Sequence, residues 1–220
     1  MGSQVSIQAE AKLTAAEAKL RLSSIPAQVV FDYFNPYFLS DYIPEHDFYR
    51  LLQTYDLPIQ SSEEAPGISA MYESLRVTQH RYKLRLSLAF FVLHSDAPAE
   101  VKAELLFLTY VKGTQACDEE VRKLVNNLLD VCLNVSKRLT PGDKDVQAYI
   151  SKLKTVRTIL LTTLQTHFSC PLQLPAFTQL LTSPQFTPLL APSTLRQFLL
   201  SLHSKHSPHS LFTARMPLIF

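Results

Sequence analysis

Tryptophan is absent from this 220-residue chain and glycine is scarce, with four in all. So few glycines argue against dinucleotide-binding, phosphate-loop and glycine-rich all-β designs, which need positive φ or close backbone approach. Cysteine is limited to Cys117, Cys132 and Cys170, an odd number, widely spaced and without a CxxC pair. That pattern fits a reduced intracellular compartment better than a disulfide framework. No apolar run reaches the roughly 18–20 residues of a membrane span, and no charged n-region precedes an apolar h-region. Acidic residues are missing from the whole C-terminal third, the last being Asp145. Six basic residues follow it (Lys152, Lys154, Arg157, Arg196, Lys205, Arg215), so the first 145 residues carry −4 and the last 75 carry +6. The basic charge is spread too thinly for a nucleic-acid surface, and an acidic partner or an anionic membrane suits it better.

What is present is helix-forming. Apolar residues make up 46% of the chain and charged residues only 18%, enough to bury a core without a structural metal. The fourteen prolines give short elements firm ends. Residues 9–22 place Leu13, Ala16 and Leu20 on one stripe with Glu and Lys opposite, an amphipathic helix. Pro44 suits the first position of a helix over EHDFYRLLQTY. Residues 77–93 start with a strand-like alternation but read as a helix over about 80–93, since no hairpin turn stands out. Asp96 suits a helix N-cap, followed by Leu105, Leu106, Phe107 and Leu108 before Gly113 breaks the helix. Longer helices are expected over 118–139 and from Asp143 to about Thr166, then shorter ones at about 175–182, 184–190 and 193–203. The class is therefore all-α: a segment over 1–26, a helical domain over 27–168, and a basic, Pro-rich extension over 169–220.

The search for chemistry returns little. No nucleophile elbow, HExxH motif, phosphate loop or dinucleotide fingerprint occurs. His203, His206 and His209 form an HxxHxxH run, but Pro208 interrupts it and no carboxylate follows Asp145, so solvated histidines are the reading. Asp118, Glu119 and Glu120 suit a first helical turn through the helix dipole. Cys132 lies on an apolar stripe. Glu45, His46 and Asp47 are consecutive and should diverge on a helix. No catalysis and no cofactor are expected. The opening Met1-Gly2-Ser3-Gln4-Val5-Ser6 matches M-G-x-x-x-[ST], making Gly2 a candidate for N-myristoylation with Ser6 as the hydroxyl residue of the motif.

The stretch Leu93–Lys102 (LHSDAPAEVK), then Phe107, Tyr110 and the segment from Glu120 to Val125, resembles the middle of calcineurin-B-like EF-hand proteins. That resemblance implies an entering helix, a calcium loop and an exiting helix. Counted from Val111, loop positions 1, 3 and 5 are Val111, Gly113 and Gln115, position 6 is Ala116 and position 12 is Arg122. None supplies a carboxylate, so this would be a degenerate loop without calcium. An acyl-Gly start ahead of such helices also resembles the N-terminal half of lysosomal, mTOR-associated TLDc-domain proteins. Leu190–Gln197 and Met216–Phe220 look like the approach to a TLDc domain, Met216 standing where the family has tryptophan. The resemblance implies a non-catalytic adaptor on the cytosolic face of a lysosomal or other membrane, presenting apolar helical surfaces to protein partners. The alternative expectation is a structural subunit of a cytoskeletal or organellar assembly.

Overall fold

The computed structural model describes residues 2–60, 62–63, 66–168 and 171–206. The chain is predominantly helical. Helix α1 (Gly2–Ala18) starts well before the expected residue 9. It is followed by α2 (Ala27–Phe34), strand β1 (Tyr42–Pro44), α3 (Glu45–Thr54) and α4 (Ile68–Glu73). Strands β2 (Arg76–Thr78) and β3 (Arg81–Lys83) then lead directly into α5 (Leu84–His94). The uniform helix expected over 80–93 is thus corrected: the alternation of Arg81, Tyr82 and Lys83 is a real strand. The turn at Gln79 and His80, which carries no glycine or proline signal, closes a β2–β3 hairpin.

The first sheet has the order β1-β3-β2, all antiparallel, with Ile43 opposite Tyr82. Both residues are fully buried, and the Tyr82 ring stacks on Phe48 at 3.8 Å with 7° between planes. The Arg76 guanidinium lies 4.9 Å from the centre of the Tyr82 ring. Strands of only three residues hold here because Ile43 and Tyr82 enter an aromatic cluster that includes Phe48, Phe34, Tyr72, Phe90 and Phe91.

A second pair repeats the plan. Helix α6 (Ala99–Tyr110) leads through β4 (Gln115–Ala116) to α7 (Asp118–Leu129), which continues as a π-helical turn (Asp130–Val135) and a 3₁₀ turn (Ser136–Leu139). After α8 (Lys144–Lys154) come α9 (Arg157–His167), β5 (Leu172–Gln173) and α10 (Leu174–Thr182). β4 pairs antiparallel with β5, Ala116 opposite Leu172. The first and last helices of each set pack together, α2 on α5 and α6 on α10. Phe107, Phe168, Phe177 and Phe186 form the aromatic centre of the second set. Pro98 rather than Asp96 precedes the first turn of α6, and Leu108 on that helix is 46% exposed.

The single helix expected from Asp143 to Thr166 is two. Thr155 Oγ1 donates to the Lys152 carbonyl, the N–H groups of Thr155 and Val156 take i−3 partners, and α9 restarts with Val156 buried. The short-range hydroxyl bond competes with the helix ladder where two β-branched residues meet. Residues 184–190 form only a 3₁₀ turn, Thr187–Leu190. The last described helix, α11 (Pro192–His206), packs with α8 and α1. Lys12 meets Asp143 and Asp145 at the start of α8, whereas Glu10 meets Tyr149 further along, so α1 and α8 run in opposite directions. One contiguous apolar core runs from Ala9 to Leu199.

Candidate functional site

The two ends of the described chain meet in a buried ion cluster. Arg196 of α11 has no solvent exposure. Its Nε and Nη2 donate to Glu10 at 2.8 and 2.9 Å, and its Nη1 and Nη2 donate to Glu17 at 2.7 and 2.9 Å. Glu10 and Glu17 stand seven residues apart, so two turns of α1 put both carboxylates on one face and one planar guanidinium bridges them. The Glu and Lys side assigned to solvent from sequence is therefore partly interior, with the Glu10 and Glu17 side chains only 12% and 9% exposed. Tyr149 donates to Glu10 at 3.0 Å and Ser136 to Glu17 at 2.6 Å. Burial alone would raise the Glu17 carboxyl, but Arg196 and His94 outweigh it and hold that group well below the ordinary carboxylate range. His94 binds the Phe90 carbonyl through Nδ1 at 2.7 Å, and its Nε2 lies 3.7 Å from Glu17.

A second buried cation is Lys102. It is 7% exposed and donates to the carbonyls of Leu93 (3.1 Å) and Leu190 (3.2 Å), tying the end of α5 to the C-terminal 3₁₀ turn. Burial lowers its pKa, with Asp96 acting in the opposite sense. Both cations sit where their partners come from distant sequence, so no local pattern could have singled them out.

The loops between paired helices present no convergent ligands. Val111 ends α6, its N–H bonded to the Phe107 carbonyl, and Gly113 borders open space. Gln115 and Ala116 are β4, and Arg122 lies in the second turn of α7. The acidic side chain that closes this loop is Glu120, which accepts the N–H groups of Lys112 (3.1 Å) and Cys117 (3.0 Å). In the first loop, Asp41 adopts φ 61°. Six residues on, Asp47 is 7% exposed and is taken by the Tyr37 hydroxyl, by His46 at 3.0 Å and by Arg50 at 3.5 Å. Burial, followed by the Asp47 carboxylate, pushes the Tyr37 hydroxyl up to about 12, so it stays a donor. Glu45 turns the other way, to Arg76 and to His80 at 3.0 Å. The three consecutive residues Glu45, His46 and Asp47 thus serve two separate networks. Among the described residues no three His, Cys, Asp or Glu side chains gather closely enough to hold a metal ion.

Apolar surface is found on α7 and α9 and at the start of α1, among other places. A crevice of about 130 Å³ between α7 and α9 is floored by Val121, Val125, Leu161, Leu164 and Phe168, with Asp118 and Arg122 at its rim. At the start of α1, Val5 is 44% and Ile7 68% exposed, while Ser6 between them is buried. Gly2 begins this helix. Cys132 is buried, and burial drives its thiol pKa up, whereas Cys117 is exposed. His203 is half-buried on α11; Cys170, His209 and Met216–Phe220 lie outside the described residues. No described helix is long and apolar enough to cross a membrane. Comparison of the chain with protein-family models, curated proteins and solved structures finds no match.

Proposed function

We propose that this chain is a non-catalytic adaptor, tethered to a membrane through N-myristoyl Gly2 and offering apolar helical surfaces to protein partners. The observation that carries the reading is the start of α1: Val5 and Ile7 face solvent beside Gly2. One myristoyl chain binds bilayers only weakly, with an association constant near ~10⁴ M⁻¹, so exposed aliphatic neighbours add what a lone acyl chain lacks. From Ala9 onward the same helix is fastened to α8 and α11, so the anchor joins a rigid body directly.

An EF-hand-like origin for the paired units is supported by the short antiparallel strands that join loop to loop within each set. Asp41, at positive φ, holds the place of the loop's turn glycine, and Asp47 then falls at the twelfth position. Positions 1, 3 and 5 become Pro36, Phe38 and Ser40, and the Asp47 oxygens are occupied by protein donors. In the second set, placing Ala116 where Ile43 stands in the first moves the twelfth position from Arg122 to Glu120. Such units keep helix pairing by apolar contact, and their crevices accept an anchor side chain of a partner's amphipathic helix. The TLDc-like kinship and the lysosomal surface belong to the same proposal.

The test is expression in eukaryotic cells, followed by mass measurement of the N-terminal peptide and vesicle sedimentation. Wild type should gain about 210 Da on its N-terminal peptide and sediment with neutral vesicles, while Gly2→Ala should do neither. An unmodified N-terminus, or equal sedimentation of the two, would refute tethering and leave the assembly-subunit reading in its place.

A further inference from the structure

Beside α8 lies a polar recess of about 350 Å³ whose walls come from three separate segments. Lys137 and Arg138 of the 3₁₀ turn and Lys154 at the end of α8 bring three cations to it, with Thr140, Gln147 and Ser151 as neutral polar neighbours. Gln147, Ser151 and Lys154 recur at helical spacing, so one stripe of α8 faces the recess while Val146, Tyr149 and Leu153 face the core. No carboxylate lines it. Among the described residues none of the three cations forms an ion pair. Asp130, the acid that acts on Lys154, is held by Arg157 at 3.0 Å and Asn134 at 2.9 Å, and Asp143, next to Gly142, is held by Lys12 at 2.8 Å.

Like charges gathered without a counter-charge repel one another, and Lys154, at the exposed end of α8, feels it. Burial lowers its pKa first, and Lys137, Arg157 and Arg138 lower it further, with Asp130 opposing. The walls are nonetheless built firmly. Pro141 and Gly142 make a tight turn closed by the Asp143 N–H on the Thr140 carbonyl, Gly142 taking φ 80° where other residues are strained. Gly67, preceding α4, touches the 3₁₀ turn just before it so closely that a Cβ there would lie 2.1 Å from the Arg138 carbonyl oxygen. An acid-free recess lined by three cations suits oxyanion recognition, arginine supplying a fork and the lysines mobile point charges.

We propose that this recess binds a phosphate-bearing anion, which supplies the counter-charge that none of its lining residues provides. The source is a soluble polyphosphate or the phosphorylated headgroup of a membrane lipid; the charged group is the same in both. The site is independent of acylation, so the 220-residue chain made in bacteria, which leave Gly2 unacylated, is the material to use.

Inositol hexakisphosphate is titrated by calorimetry into wild type, into Lys137→Gln/Lys154→Gln, and into the control Lys83→Gln/Lys112→Gln, whose lysines lie outside the recess. Wild type and control should bind alike, and the recess variant at least about tenfold more weakly, with affinity falling as salt rises. Vesicles of phosphatidylcholine with and without phosphatidylinositol bisphosphate form the second arm. Sedimentation only with the phosphoinositide, lost in the recess variant, assigns the lipid headgroup. Binding of the free polyphosphate without sedimentation assigns a soluble anion. No binding in either arm, or equal weakening in the control and recess variants, overturns the proposal. Circular dichroism melting of each variant without ligand separates loss of binding from loss of fold.

Discussion

Replacing Arg196 by methionine removes the guanidinium that bridges Glu10 and Glu17 and leaves two carboxylates inside the protein. Taking one partner from a buried ionic cluster costs about 3–5 kcal/mol, because the abandoned charges lose their counter-ion while staying desolvated. For a chain of this size each kcal/mol moves the melting midpoint by roughly 2–4 °C, so a fall of about 6–20 °C is expected at pH 7. The loss should depend on pH in a defined direction. Glu17 is held below its ordinary pKa of 4.5 in the wild type, so its contribution is present above that value and fades as pH drops below it. In Arg196→Met, burial unopposed by the guanidinium raises the Glu17 pKa, so acidification neutralises the stranded group. The gap between wild type and variant should therefore narrow between pH 7 and pH 4 in thermal melts followed by circular dichroism. Adding Glu10→Gln and Glu17→Gln to the variant should restore much of the loss at pH 7, since no bare carboxylate stays buried. A midpoint change under about 2 °C at pH 7, or a gap unchanged by acid, would refute the reasoning.

Gly67→Ala should lower stability by about 1–3 kcal/mol in urea titrations, because its Cβ would meet backbone of the Arg138–Leu139 turn rather than a side chain that can rotate away. Maleimide labelling of the native chain, mapped by peptide mass, should modify exposed Cys117 and spare buried Cys132 until denaturant is added. Equal labelling of both would mean the π-helical turn opens readily. Millimolar calcium should leave the melting midpoint unchanged, because Asp47 is engaged by Tyr37, His46 and Arg50 and Glu120 by backbone N–H groups. A calcium-dependent rise would show that those partners yield to the ion.

The helical class and most of its apolar faces were legible in the chain itself. Val121, Leu124, Val125, Leu128 and Leu129 are buried as their spacing requires, and so are Val146, Ile150 and Leu153. Such periodicity is a local property, carried by residues three and four apart, and one face of one helix suffices to reveal it. Helix ends were less legible: the break at Thr155 and Val156 turns on a hydroxyl bond competing with the ladder, and β3 is a strand because a partner strand lies across from it. The roles of Glu10, Glu17, Lys102 and Arg196 were hidden altogether, since a charged side chain reads as solvated until its counter-charge or carbonyl partner arrives from elsewhere. Residue 196 meets residues 10 and 17 only after the chain has closed. Apolar patterning therefore determined that the chain folds as helices, whereas the pairing of charges across some 180 positions, a matter of Coulomb attraction over ångströms rather than of sequence spacing, was decided by tertiary structure alone.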